Sequence, residues 1–130
     1  MKKDIPFPPV EGVYLVVAEN EEGQWYVYLV NENNFILENV MIHSRGYGEK
    51  DGAPQQTSVL RHMFTEVAAN EYISVEMIDS SVFHLNNEYW LSYFVNNQVY
   101  DKKFIFLPDS IIKENMSFIP EIGLKGIIHR

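Results

Sequence analysis

Two of the four histidines stand where strand pairing can bring them together. If the strand ending at Ser44 runs antiparallel to one starting at Thr57, residues whose numbers sum to about 105 face each other, which sets His43 opposite His62. Two cross-strand imidazoles with one carboxylate, Glu38 or Glu66, make the donor set of a zinc site. The plainer reading is a pair of half-buried histidines, because neither HExxH nor a second closely spaced pair accompanies them. A register slip of one residue also moves a side chain to the other face of the sheet.

The run Arg45-Gly46-Tyr47-Gly48 has glycines that let backbone N–H groups approach an anion, as phosphate loops do. It lacks both GxGxxG and GxxxxGK[ST] and opens no convincing helix, so it reads as part of a mobile surface loop over 45–56. Within that loop Arg45 and Tyr47 are the binding candidates. Serine and threonine are scattered without a GxSxG elbow or an SxxK pair. The paired acids Glu21-Glu22 and the acids Glu114 and Glu121 fall in turns or flanks, where a carboxylate is normally solvated. No catalytic residue and no cofactor is assigned.

The elements that would position these residues are strands. Val13–Ala18 and Trp25–Val30 flank the Asn20-Glu21-Glu22-Gly23 turn as a hairpin, with Trp25, Val27 and Leu29 on one face and Tyr26, Tyr28 and Val30 on the other. A third strand runs from Phe35 to Ser44. Thr57–Val67 fits a helix through Leu60, Met63, Phe64 and Val67, and a strand through Leu60, His62 and Phe64; its strand-like successor favours strand. That successor, Tyr72–Ile78, alternates strictly, with Ile73, Val75 and Met77 inward and Ser74 and Glu76 outward. The clearest hairpin joins Glu88–Val95 to Val99–Phe106 through Asn96-Asn97-Gln98. Its Tyr89, Leu91, Tyr93 and Val95 share one face, and Trp90, Ser92 and Phe94 the other. Tyr93 and, on the partner strand, Tyr100 are binding candidates, since aromatic surface of this kind anchors interfaces. Asp109 is a candidate N-cap for one short helix near 109–116.

Seven or eight strands at spacings near 10 residues predict an all-β fold: a single antiparallel β-sandwich of immunoglobulin-like type, with a small β-barrel as the alternative. The 130 residues fit one domain, 1–130, carrying a Pro-rich N-terminal arm over 1–10. A net charge of −8 disfavours nucleic acid as a partner, because that affinity comes from Lys and Arg neutralising phosphates. With no cysteine, disulfides and thiolate chemistry are excluded. An aspartate and three prolines stand where a secretory h-region would lie, and no apolar run approaches the roughly 20 residues of a membrane span. A cytoplasmic protein without membrane contact is therefore expected.

Through Tyr100-Asp101-Lys102-Lys103-Phe104-Ile105-Phe106, with Ser44-Arg45-Gly46-Tyr47 upstream and Ile119-Pro120 and Leu124-Lys125-Gly126 downstream, the chain resembles a family of short, uncharacterised bacterial proteins. Some of them carry the label phenylalanyl-tRNA synthetase alpha subunit. The residues do not support that activity: Arg45, Arg61 and Arg130 are the only arginines, too few for the ATP-gripping motifs and for tRNA. The resemblance thus implies membership without an activity or a site. The expected function is a non-enzymatic protein-interaction or ligand-binding module, associating with a second copy or a protein partner through its tyrosine-rich strands. The alternative is a small enzyme or metal-binding protein with a site around 44–56.

Overall fold

The computed structural model describes residues 8–130; the arm predicted over 1–10 lies outside the described residues as far as residue 7. Ten strands follow in order: β1 (Val13–Glu19), β2 (Trp25–Asn31), β3 (Leu37–Lys50), β4 (Ala53–Gln56), β5 (Leu60–Val67), β6 (Tyr72–Ile78), β7 (Asn86–Val95), β8 (Gln98–Phe106), β9 (Ser117–Ile119) and β10 (Leu124–His129). They form two antiparallel sheets that face each other without closing into a barrel. One has the order β6-β2-β1-β10-β9, and the other β4-β3-β7-β8 with β5 also on β3. Strands β4 and β5 follow one another along the same side of β3, the first on Tyr47–Lys50 and the second on Leu37–Ser44.

The inner faces supply one core, including Leu15, Val17, Val27 and Leu29 from the first sheet and Ile42, Tyr89, Leu91 and Phe104 from the second. Period-two alternation puts these residues on the faces that meet. A second cluster sits on the outside of the first sheet, where Ile119 and Ile122 cover Tyr14, Val16 and Ala18. Polar groups tie the layers where apolar packing cannot. Asn31, fully buried at the end of β2, donates through Nδ2 to the carbonyls of Phe35 (2.9 Å) and Ala68 (3.1 Å) and accepts from the Asn33 N–H (3.0 Å). Buried backbone polar groups need such partners.

Several expectations change. Residues 45–56 are not a loop: β3 continues to Lys50, turns at Asp51 and Gly52, both at positive φ, and returns as β4. The Thr57–Val67 segment is strand from Leu60, as its strand-like successor favoured. Asp109 is no N-cap; it has φ 60°, and the only helical turn after it is the 3-10 segment Lys113–Asn115. The Asn96-Asn97 turn joins β7 to β8 as expected, with both residues at positive φ.

Burial acts on the tyrosines. It pushes the Tyr93 phenol up to about 12, with the Tyr100 phenol adding to it, and raises Tyr28, Tyr14 and Tyr89 as well. Below about pH 9 these phenols are neutral in both folded and unfolded chains, so their contribution is complete there. Above it the unfolded chain ionises first, and stability falls as pH rises toward the folded values. Melting temperature is expected to be flat to about pH 9 and to drop steeply between about pH 10 and 12, with the phenolate absorbance of these four tyrosines appearing together with unfolding. Phenolate absorbance that is complete before unfolding begins would contradict this.

Candidate functional site

The most structured polar group in the molecule lies between the edges of the two sheets, and a β-bulge creates it. Val27 of β2 pairs with Glu76 while Tyr28 pairs with Ser74, which leaves Val75 as the extra residue. A bulge bends the strand and re-aims the side chains beyond it. Before Val75, β6 follows the expected phase. After it the phase inverts: Glu76 points into the sandwich and Met77, predicted inward, is 55% exposed.

Glu76 there collects three donors from the opposite sheet. Its Oε1 accepts from His62 Nε2 at 2.7 Å and from Ser44 Oγ at 2.9 Å, and its Oε2 accepts from Tyr89 Oη at 3.0 Å. A carboxylate only accepts, so His62 Nε2 and Ser44 Oγ both carry the shared hydrogens. Burial, then the nearby Glu76 charge, holds the Tyr89 phenol well above its usual range, which keeps it a donor. Ser44 is aimed at Glu76 and not at His62, so the histidine is not placed to take its proton. That geometry is not a nucleophile relay.

Beside this network a cavity of about 340 Å³ opens, lined on its polar side by Glu76, Ser44, Tyr89 and Thr57 and on its apolar side by Ile78 and Val82. Its wall exists because β4 ends at Gln56 and β5 begins only at Leu60. Thr57 fills part of that gap, accepting from the Gly46 N–H at 2.7 Å and donating to the Ser58 carbonyl at 3.0 Å. Asp79 stands at the rim; the hydrogen bond it accepts from the Ser81 N–H holds its carboxyl below the ordinary range.

The residues singled out from sequence distribute differently. The β3–β5 register sums to 104, so His43 faces Arg61, and His62 pairs with Ile42. This one-residue difference puts His43 on the outer face and His62 on the inner one, so the proposed His43/His62 zinc pair does not form. Glu38 and Glu66 lie opposite each other at the far end of the outer face. Among the described residues no group of three His, Asp or Glu side chains is placed to hold a metal ion. Arg45 and Tyr47 do come together, the guanidinium 5.0 Å from the ring centroid, while Arg45 Nε donates to Glu88 at 3.1 Å. Both face outward, and only Arg45 reaches the cavity rim. Tyr93 and Tyr100 stack with centroids 5.1 Å apart and planes 4° from parallel, next to Pro8, Pro9 and Phe35. Tyr93 is buried, so only Tyr100 of that pair offers surface.

Glu76 and Ser44 were missed. A lone glutamate in a strand reads as an outward residue, and the bulge that inverts it leaves no mark in Tyr72–Ile78. No family model, curated protein or solved structure matches the chain.

Proposed function

We propose that this chain is a non-enzymatic ligand-binding β-sandwich module whose site is the cavity beside Glu76. The observation that carries the reading is the bulge at Val75: without it, strict alternation would place Met77 in the seam, and an apolar residue there would pack without any polar network. Bulges of this sort recur where a side chain must be re-aimed for function. The cavity has the size of small-ligand sites, and its mixed lining suits them. Two carboxylates, Glu76 and Asp79, with apolar Ile78 and Val82 between them favour a small ligand with an ammonium or hydroxyl head on a short apolar body.

The immunoglobulin-like assignment and the cytoplasmic setting belong to the same proposal. Hairpins that alternate between facing sheets support the first, and the lack of cysteine fits the second. Among the described residues no helix is long and apolar enough to cross a membrane.

The test is an amide-resolved NMR titration with a panel of short alkylamines and diols. Shifts are expected at Gly46, Thr57, Ser58 and Asp79, and they should vanish in a folded Glu76→Gln variant. A panel that moves none of these amides, or moves them equally in the variant, overturns the reading.

A further inference from the structure

The outer face of the second sheet is built in rungs, with a bulge in β3 between Glu38 and Met41 that widens the last step on the β3 and β5 side. Cross-strand partners fix them: Arg61, His43, Trp90 and Lys103 form one row; Met63, Met41, Ser92 and Asp101 the next; Glu66, Glu38, Phe94 and Val99 the last. The row of bases and the row of acids thus flank a row with two methionines. Met63 is 74% exposed and Trp90 43%, which is a large apolar offering for a sheet surface. Directly opposed like charges are unfavourable within one sheet, yet Glu38 faces Glu66 at one end, while Arg61 stands beside His43 at the other. Arg61, Glu38 and Glu66 make no ion pair with one another or with other described residues.

We propose that this face pairs with the same face of a second copy of the chain. A two-fold axis lying between the facing sheets, along the Met63–Met41–Ser92 row, reverses the strand direction and leaves each strand over its own copy. Arg61 then meets the partner's Glu66, His43 meets the partner's Glu38, and Trp90 meets the partner's Phe94. The methionines meet at the centre. Such a patch is self-complementary in the way a two-fold contact requires, and the Glu38/Glu66 pair gains the positive charge of the partner's Arg61 that its own sheet does not bring to it. Asp101 faces its own copy at the margin, where Trp90 Nε1 and Ser92 Oγ, donating at 2.6 and 2.7 Å, already satisfy it.

The footprint is small. Three rungs across four strands spaced about 4.8 Å cover roughly 300–400 Å² per copy, about half the area of a standard interface. The dimer is therefore weak, with a dissociation constant on the order of 0.1 mM, and it loosens as salt screens its charges.

Sedimentation equilibrium of the whole chain from roughly 10 µM to 2 mM tests this directly against the expected constant. Two charge variants, Glu38→Lys with Glu66→Lys and His43→Glu with Arg61→Glu, should each weaken association about tenfold or more. Mixed in equal amounts they should associate at least as well as the unmodified chain, because a mainly basic face then meets a mainly acidic one. All four positions lie on the sheet's outer face, so circular dichroism should show both variants folded. A chain that stays monomeric to about 2 mM overturns the proposal and leaves the face to a different partner. So does self-association that the variants leave unchanged, or a mixture that remains monomeric.

Discussion

Glu76→Ala is expected to destabilise the fold by roughly 3–5 kcal/mol, the cost of removing one member of a buried charged network. Three donors from the opposite sheet converge on that carboxylate, and alanine leaves His62 Nε2, Ser44 Oγ and Tyr89 Oη without it. Water from the adjoining cavity can reach some of them, which sets the range below the sum of three orphaned groups. Glu76→Gln keeps an acceptor oxygen and the side-chain volume, and its cost should be nearer 2 kcal/mol. Urea unfolding of the three proteins, with m unchanged, gives the comparison. A loss under about 1 kcal/mol for the alanine variant would mean that the network contributes little to joining the sheets.

Gly126→Val should cost about 3 kcal/mol or more, since the glycine sits where β10 crosses closest to β1. A Cβ there would lie 2.6 Å from Val16 Cγ1, 2.8 Å from the Val17 carbonyl oxygen and 3.0 Å from Ala18 Cβ. Ala18 is its cross-strand partner and is fully buried, and the carbonyl is backbone, so little can give way. The melting temperature should fall by roughly 10–15 °C. A drop of less than about 3 °C would show that β10 can shift as a unit to admit the side chain.

The fold was legible in the sequence wherever alternation ran unbroken. Trp25–Val30 and Glu88–Val95 display their inner and outer faces residue by residue, and both faces are as read. Turn chemistry was equally informative at Asn96-Asn97, where positive φ suits asparagine. The site was not legible, for two physical reasons. A bulge inserts one residue without changing composition, so strict alternation assigns Glu76 to the solvent face, and only the extra residue Val75 turns it inward. Register in a long hairpin depends on where its turn falls, and glycines at 46, 48 and 52 hid the turn at Asp51-Gly52. The resulting error of one residue paired His43 with His62, which the structure separates onto opposite faces.

The central position of β1 carries a consequence for synthesis. One flank of β1 is filled early by β2, but the other waits for β10, whose Ile127 and Ile128 pair with Val17 and Val16. At about 5–20 residues per second the ribosome takes several seconds to make the intervening chain, and through that time the apolar edge of β1 has no native partner. The second sheet can assemble from β3, β4, β5, β7 and β8 before then. Folding on the ribosome should therefore proceed sheet by sheet, with the β1–β2 hairpin the segment most in need of a chaperone until residues 124–129 emerge.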